Sequence, residues 1–415
     1  MKFTGISLSG WQQFDKVELA LHPRLTVLTG ANGSGKSTLL RFLARHFGWP
    51  YNQLSTPRKD PASGVVRFLT ALFGLDLSRP SEDQVAVGEV SYSSGRKSPI
   101  RIPAQLSQAS YQPTIDNPEQ VAGLFLPADR PEFVYAPVQQ IPPRAKRSME
   151  AFNEVNNMMR DRAMGGSGRA PAFQMKEILV GLALFGSGGD LIERDDEARR
   201  LFSEFQDVLK SVLPPELGFT SMTVRANSEL VLLTGSGEFM LDAVSGGVGA
   251  IISLAWQIFM YSNGQDQEFT VAIDEPETHL HASMQRQLLP SFLKAFPKTQ
   301  FVVATHSPLV VGSQQDANVY ALAFSDSRRV YSRTLDLQDR TGSASEIYRD
   351  VLGIDSTLPL WLEERIGEII QKYSRIDLDK KALDGLRSEM AKIGLDKWVP
   401  EAAIRLADER GRKRQ

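Results

Sequence analysis

The chain has 415 residues, 42% of them hydrophobic, with 47 Lys and Arg against 49 Asp and Glu and no cysteine. Domains usually hold about 100–200 residues, so this length predicts two or more lobes around a substantial core. The missing cysteine excludes disulfides, a thiol nucleophile and cysteine-held zinc or iron–sulfur centres, and the net charge of −2 excludes an overall basic nucleic-acid coat.

The opening MKFTGISLSGWQQF has no charged head followed by an apolar core, so no secretory signal is read there. Residues 2–8 and 15–20 alternate as two short strands, and RLTVLT (24–29) reads as a buried strand. A glycine-rich turn leads into a helix over 37–47, with Leu39, Leu40, Phe42, Leu43 and Phe47 at helical spacing. Strands over 85–92 and 99–103 flank a turn, which predicts a hairpin. EFVYAPV (132–138) is read as a further strand, and the stretches 141–148 and 164–171 as loops. Helices follow over 177–185 and 197–213, then a meander over 221–244 and a helix over 247–260. The longest apolar run, 250–260, is shorter than the roughly 20 residues a membrane-spanning helix needs, so a cytoplasmic protein without a membrane partner is expected. Two apolar strands, 269–274 and 299–306, enclose a helical stretch, the pattern of a βαβ unit in a parallel sheet. After about 320 a polar hairpin leads into charged helices, including 347–353. The expected domains are a head over 1–320, with an insertion over about 50–244, and an extension over 321–415.

Residues 30–37 match G-x-x-x-x-G-K-[ST] between an apolar strand and an amphipathic helix. A loop that wraps a polyphosphate with backbone N–H groups needs glycine wherever a Cβ would clash. Gly30, Ala31, Asn32, Gly33, Ser34, Gly35, Lys36, Ser37 and the adjoining Thr38 are therefore the expected nucleotide-binding set. Lys36 brings positive charge to the β- and γ-phosphates, Ser37 offers a hydroxyl to Mg²⁺, and the helix aims its positive end at the anion. Asp274 and Glu275 end an apolar strand, one placed to support the metal and the other to activate water. His306 ends the next strand, and carboxyl ends of neighbouring parallel strands line one crevice. Ser245, Gly246 and Gly247 open a second anion-facing helix.

The order P-loop, Ser-Gly-Gly, Asp-Glu and strand-end histidine resembles the ABC-type ATPases. The wording DEPETHLH (274–281) and VVATHSPLVV (302–311) is similar to the OLD-like branch, related to the RecF- and SMC-type ATPases of DNA metabolism and phage defence. The resemblance covers roughly residues 1–320. It implies an α/β P-loop fold of ABC-ATPase type: a mixed sheet, an N-terminal antiparallel β subdomain, a helical lobe and a C-terminal helical extension. It further implies ATP and Mg²⁺ as ligands, Glu275 as catalytic base, His306 as switch residue, Lys36 on phosphate, and Ser37 and Asp274 at the metal. Ser245 and Gly247 would reach the nucleotide of a second protomer, and residues 277–281 would face that partner. A glutamine at the metal is also implied, with Gln140 and Gln139 as candidates. The Ser-Gly-Gly reads VSGGVG instead of the transporter-like LSGGQ, and no heptad repeat interrupts the head. Residues 320–415, with Asp377 and Asp379, offer too little chain for the Toprim nuclease domain of OLD proteins, so no nuclease activity is expected.

Arg144, Lys146, Arg147, Arg160, Arg162 and Arg169 cluster around two loops, and Arg410, Arg412, Lys413 and Arg414 crowd the last residues. Such groups can neutralise DNA phosphates. The expected function is an ATPase that dimerises around ATP and couples hydrolysis to work on DNA or a separately encoded effector, in DNA repair or anti-phage defence. The alternatives are the ATPase subunit of a membrane transporter and an ATP-liganded scaffold for an effector.

Overall fold

The computed structural model describes residues 1–59, 64, 66–70, 84–103, 105–106, 109–130, 132–190, 192–264, 267–335, 360–374, 380–392, 394–395, 399 and 402–403. The apolar strands on either side of the P-loop form one half of an eleven-stranded mixed sheet. In that half Leu25–Gly30, Thr299–Ala304, Phe269–Asp274 and Gly123–Leu126 run parallel, each buried along its whole length. Continuous burial explains why these segments read as apolar runs instead of alternating. The other half is antiparallel, built from Phe3–Trp11, Phe14–Ala20, Gln84–Tyr92, Lys97–Pro103 and the short Thr114–Ile115. There Phe14–Ala20 buries Phe14, Val17 and Leu19 and exposes the residues between, as one solvated face requires.

A hairpin joins the halves. Asn318–Phe324 pairs parallel to the P-loop strand, and Val330–Thr334 pairs parallel to Phe14–Ala20. The head thus continues through Val330–Thr334, beyond the boundary expected at 320, because this hairpin contributes two interior strands of the sheet. The described residues fall into two compact units, and the second contains helices Leu360–Ser374 and Lys380–Lys392. That unit has its own apolar cluster around Ile366, Ile369, Ile370, Leu386 and Met390. The helix expected over 347–353, the residues Asp377 and Asp379, and the basic stretch 410–414 lie outside the described residues.

Helices Ser148–Ala163, Pro171–Ser187 and Asp196–Val212 form the helical lobe. The first and third pack on the helix Gly246–Asn263, which is buried almost all round. Among the described residues no helix is long and apolar enough to cross a membrane. A three-stranded meander, Ser221–Val224, Leu230–Thr234 and Gly237–Met240, delivers the chain to Ser245.

One expected strand is absent. Residues 132–138 form no strand, and Val134 and Tyr135 are exposed. The parallel strand that edges the sheet is instead Gly123–Leu126. Pro137 lacks the N–H a ladder needs, whereas the GLFL segment is short, apolar and free of proline.

Candidate functional site

Strand register assembles the site. Asp274 lies opposite Ala304, and Ala304 opposite Leu28, so three carboxyl ends stop side by side. The backbone continues this alignment: the Glu275 N–H donates to Ala304 O at 2.8 Å and the Thr305 N–H to Leu28 O at 2.9 Å. The P-loop, Asp274-Glu275 and His306 therefore emerge together, as the sequence predicts.

Two glycines shape the P-loop. Gly30 has φ +140° and passes so close to the hairpin that a Cβ would stand 2.4 Å from Leu322 O. Gly35, at φ +95°, takes a left-handed turn at the helix start, and a Cβ there would collide with the Phe14 ring. No side chain caps this helix start, which leaves its first N–H groups open to an anion. Lys36 is only 5% exposed. Its Nζ donates to Gly30 O at 2.9 Å and Ala31 O at 3.1 Å and lies 3.5 Å from His306 Nδ1. Burial pushes its pKa down to about 8, against the pull of Asp274, Glu275 and Glu277.

Asp274 is buried beside Ser37. Burial raises its pKa, opposed by the hydrogen bond from Ser37, while the neighbouring Glu275 charge adds to the rise. Its Oδ1 and the Ser34 hydroxyl are buried without a partner. Asp274 with the Ser37 hydroxyl bonded to it, at a helix start whose first N–H groups are uncapped, is a donor set that suits a hard divalent cation sharing its shell with phosphate. His306 Nε2 lies 3.5 Å from Glu275 Oε1, so the imidazole bridges lysine and glutamate. Burial, reinforced by the Lys36 charge, lowers the His306 pKa and favours the neutral ring.

Two further side chains support this arrangement. Arg130, 5% exposed, donates from Nη2 to Asp274 O at 2.8 Å and from Nη1 to Glu275 O at 2.9 Å. It thereby fixes the backbone of both carboxylates, and burial lowers its pKa to about 10. Its only sequence signal is a position four residues past the short strand ending at Leu126. Glu277 accepts from the N–H groups of His306 and Ser307 at 2.7 and 3.1 Å, tying the Asp-Glu loop to the histidine loop. Resemblance places Glu277 facing a partner; in this chain one of its oxygens is engaged internally. Glu275 and His279 both have positive φ, 45° and 69°, conformations that cost energy outside glycine and cluster at functional sites.

The Ser245-Gly246-Gly247 helix start packs on the same loop. Ser245 Oγ accepts from the Val248 N–H at 3.5 Å, and a Cβ on Gly247 would approach His279 O to 2.9 Å. A hollow of about 110 Å³ lies between Arg130, Phe133, Ser245, Gly246 and His279. Among the described residues no hydrogen bond joins this helix start to the P-loop of the same chain. Gln139 and Gln140 are exposed in the loop that replaces the expected strand, so no strand end aims either of them at the metal position. Gln139 lines a separate hollow with Tyr135, Arg169 and Phe173.

Residues 132–312 match the family described as "AAA domain, putative AbiEii toxin, Type IV TA system", and residues 6–126 match one described as "AAA domain". The chain is 26% identical over 175 residues to the Septu protein PtuA of Bacillus thuringiensis, a match covering 36% of this chain and 44% of that protein. It is 30% identical over 126 residues to the retron Ec83 probable ATPase of Escherichia coli, covering 28% of this chain and 23% of that protein. The matches thus span less than half the length of these curated relatives. An SMC head domain from Thermotoga maritima superposes with a TM-score of 0.42 at 13% identity, covering 81% of this chain and 99% of that one. The chain carries ATPase-domain sequence of the AAA type on both sides of residue 130 and is related to proteins named Septu PtuA and retron ATPases.

Proposed function

We propose that this protein is an ATP-driven switch that hydrolyses ATP at the three aligned strand ends and pairs with a second copy around the nucleotide. The observation that carries the reading is the convergence of Lys36, Ser37, Asp274, Glu275 and His306 on one crevice. Gly30 to Thr38 bind the phosphates, and Lys36 exchanges its carbonyl partners for phosphate oxygens. Ser37 and Asp274 would hold Mg²⁺, which when bound neutralises charge that develops on the transferred phosphoryl group. Glu275 takes the proton of the attacking water, and the neutral His306 orients Glu275 through Nε2 and responds to Lys36 through Nδ1. Arg130 and Glu277 keep both loops at fixed separation while this occurs.

The second helix start, with Ser245 and Gly247, serves the nucleotide of the other protomer. Its lack of hydrogen bonds to its own P-loop supports that role. ATP binding closes the pair and hydrolysis releases it. The output acts on DNA or on a separately encoded effector, and the kinship with Septu PtuA and retron ATPases supports a setting in phage defence.

The deciding experiment follows phosphate release and solution mass together. Wild-type protein should turn over ATP, and Glu275→Gln protein should bind ATP, stop turning over and double in mass. An unchanged mass with ATP in both proteins would overturn the paired switch. Phosphate release equal to that of Lys36→Ala protein would overturn hydrolysis.

A further inference from the structure

The basic segment singled out in the sequence is mostly neutralised internally. Arg144 pairs with Glu150 at 2.9 Å, Lys146 with Glu154, Arg147 with Glu197 at 2.6 Å, Arg162 with Asp129 at 3.7 Å and Arg169 with Glu177 at 2.7 Å. Arg160 differs. Its guanidinium donates to the Gly48 carbonyl, and among the described residues it has no carboxylate partner. Arg45, at the carboxyl end of the P-loop helix, likewise has no ion pair among the described residues. Burial lowers its pKa.

Both arginines line one hollow of about 620 Å³, together with Trp49, Gln112, Asn157 and Asp161. Trp49 is 7% exposed, and its indole N–H is buried with no acceptor. A partly buried cation without a counter-ion carries an uncompensated loss of hydration. An anion with several acceptor oxygens would remove that penalty for both arginines. Guanidiniums match phosphate oxygens in a forked geometry. The amides of Gln112 and Asn157 and the carboxylate of Asp161 provide polar groups of both kinds, suited to the edge of a base.

We propose that this hollow binds a nucleotide through its phosphate, held by Arg45 and Arg160, at a site separate from the P-loop. The nucleotide comes either from a single strand of nucleic acid or from a free mononucleotide. The competing reading is that the two arginines only neutralise the carbonyl ends of the helices they close.

The test uses the full chain with its P-loop saturated by a non-hydrolysable ATP analogue. Binding of a fluorescein-labelled oligothymidylate is followed by anisotropy, and thymidine 5′-monophosphate by calorimetry. The variant combines Arg45→Glu and Arg160→Glu, with the pair Arg45→Lys and Arg160→Lys as the rescue. Arg160→Gln alone provides a milder change, and thermal melting checks that each protein folds. Loss of strand affinity by about tenfold or more in the Glu pair, partly recovered in the Lys pair and with a shallower salt dependence, identifies a strand as the source. The same loss for the mononucleotide, with no strand binding, identifies a free nucleotide. Absence of both bindings in the wild type, or equal affinity in folded Glu-pair or Arg160→Gln protein, overturns the proposal. Hydrolysis of ATP without added nucleic acid should remain unchanged in the variants, since among the described residues no side-chain hydrogen bond or ion pair joins either arginine to Lys36, Ser37, Asp274, Glu275 or His306.

Discussion

The two anion-facing helix starts of the head are built differently. The P-loop helix begins with a left-handed glycine and no capping side chain, and it is surrounded by Lys36, Ser37 and Asp274. The helix at Gly246 begins with a serine cap bonded at 3.5 Å, near the outer limit of a hydrogen bond, and packs on the backbone of His279. The first start is a finished site with its own cation and carboxylate. The second offers N–H groups and a hydroxyl, and the cation beside it, Arg130, is already bonded to the carbonyls of Asp274 and Glu275. In the proposed function such a helix end completes a site assembled on a second copy.

The largest effect should come from the finished site. Lys36→Ala should remove ATP binding by the isolated chain and lower phosphate release by about 100-fold or more. Near-normal affinity in a filter-binding assay would erase the distinction between the two starts. Glu275→Gln should lower turnover by about 100-fold while ATP affinity stays within a factor of a few, because the base acts only on water. Gly247→Val tests the other start. Its side chain meets His279 O and costs about 1–3 kcal/mol of stability as local overpacking. Turnover should fall about tenfold with ATP affinity of the monomer unchanged. A matching loss of monomer affinity would mean that both starts act on the same nucleotide.

The smallest effect concerns pH. Lys36 sits near 8 without ligand, and a bound phosphate raises it, so binding takes up a proton. Affinity is fully present below pH 8 and is lost as pH rises above it, by about tenfold between pH 7 and 9. Lys36→Arg should flatten that profile in a fluorescent-nucleotide titration, since guanidinium stays charged throughout.

What the sequence discloses depends on how local the chemistry is. The P-loop, Asp274-Glu275 and His306 are each short motifs at the end of an apolar strand, and strand register does the rest. Arg130 escaped because its role is to bond two carbonyls 144 and 145 residues away, which leaves no trace in the adjacent residues. Gly123–Leu126 escaped because four apolar residues carry too little periodicity, while the aromatic and β-branched 132–138 imitated a strand despite Pro137. The hairpin over 318–334 looked like the start of a separate extension because its second strand is polar. Its place inside the sheet is set by pairing with residues 14–16 and 26–30, a long-range fact.

That hairpin also bears on biosynthesis. Both neighbours of the P-loop strand, Thr299–Ala304 and Asn318–Phe324, are translated long after the strand itself. Non-local pairing of this kind is slow to form and leaves strand edges open meanwhile. A ribosome-bound chain therefore holds a complete P-loop sequence for most of its synthesis with neither neighbouring strand beside it. On the proposed function, a protein released before these strands leave the exit tunnel would lack the finished nucleotide site and be exposed to aggregation.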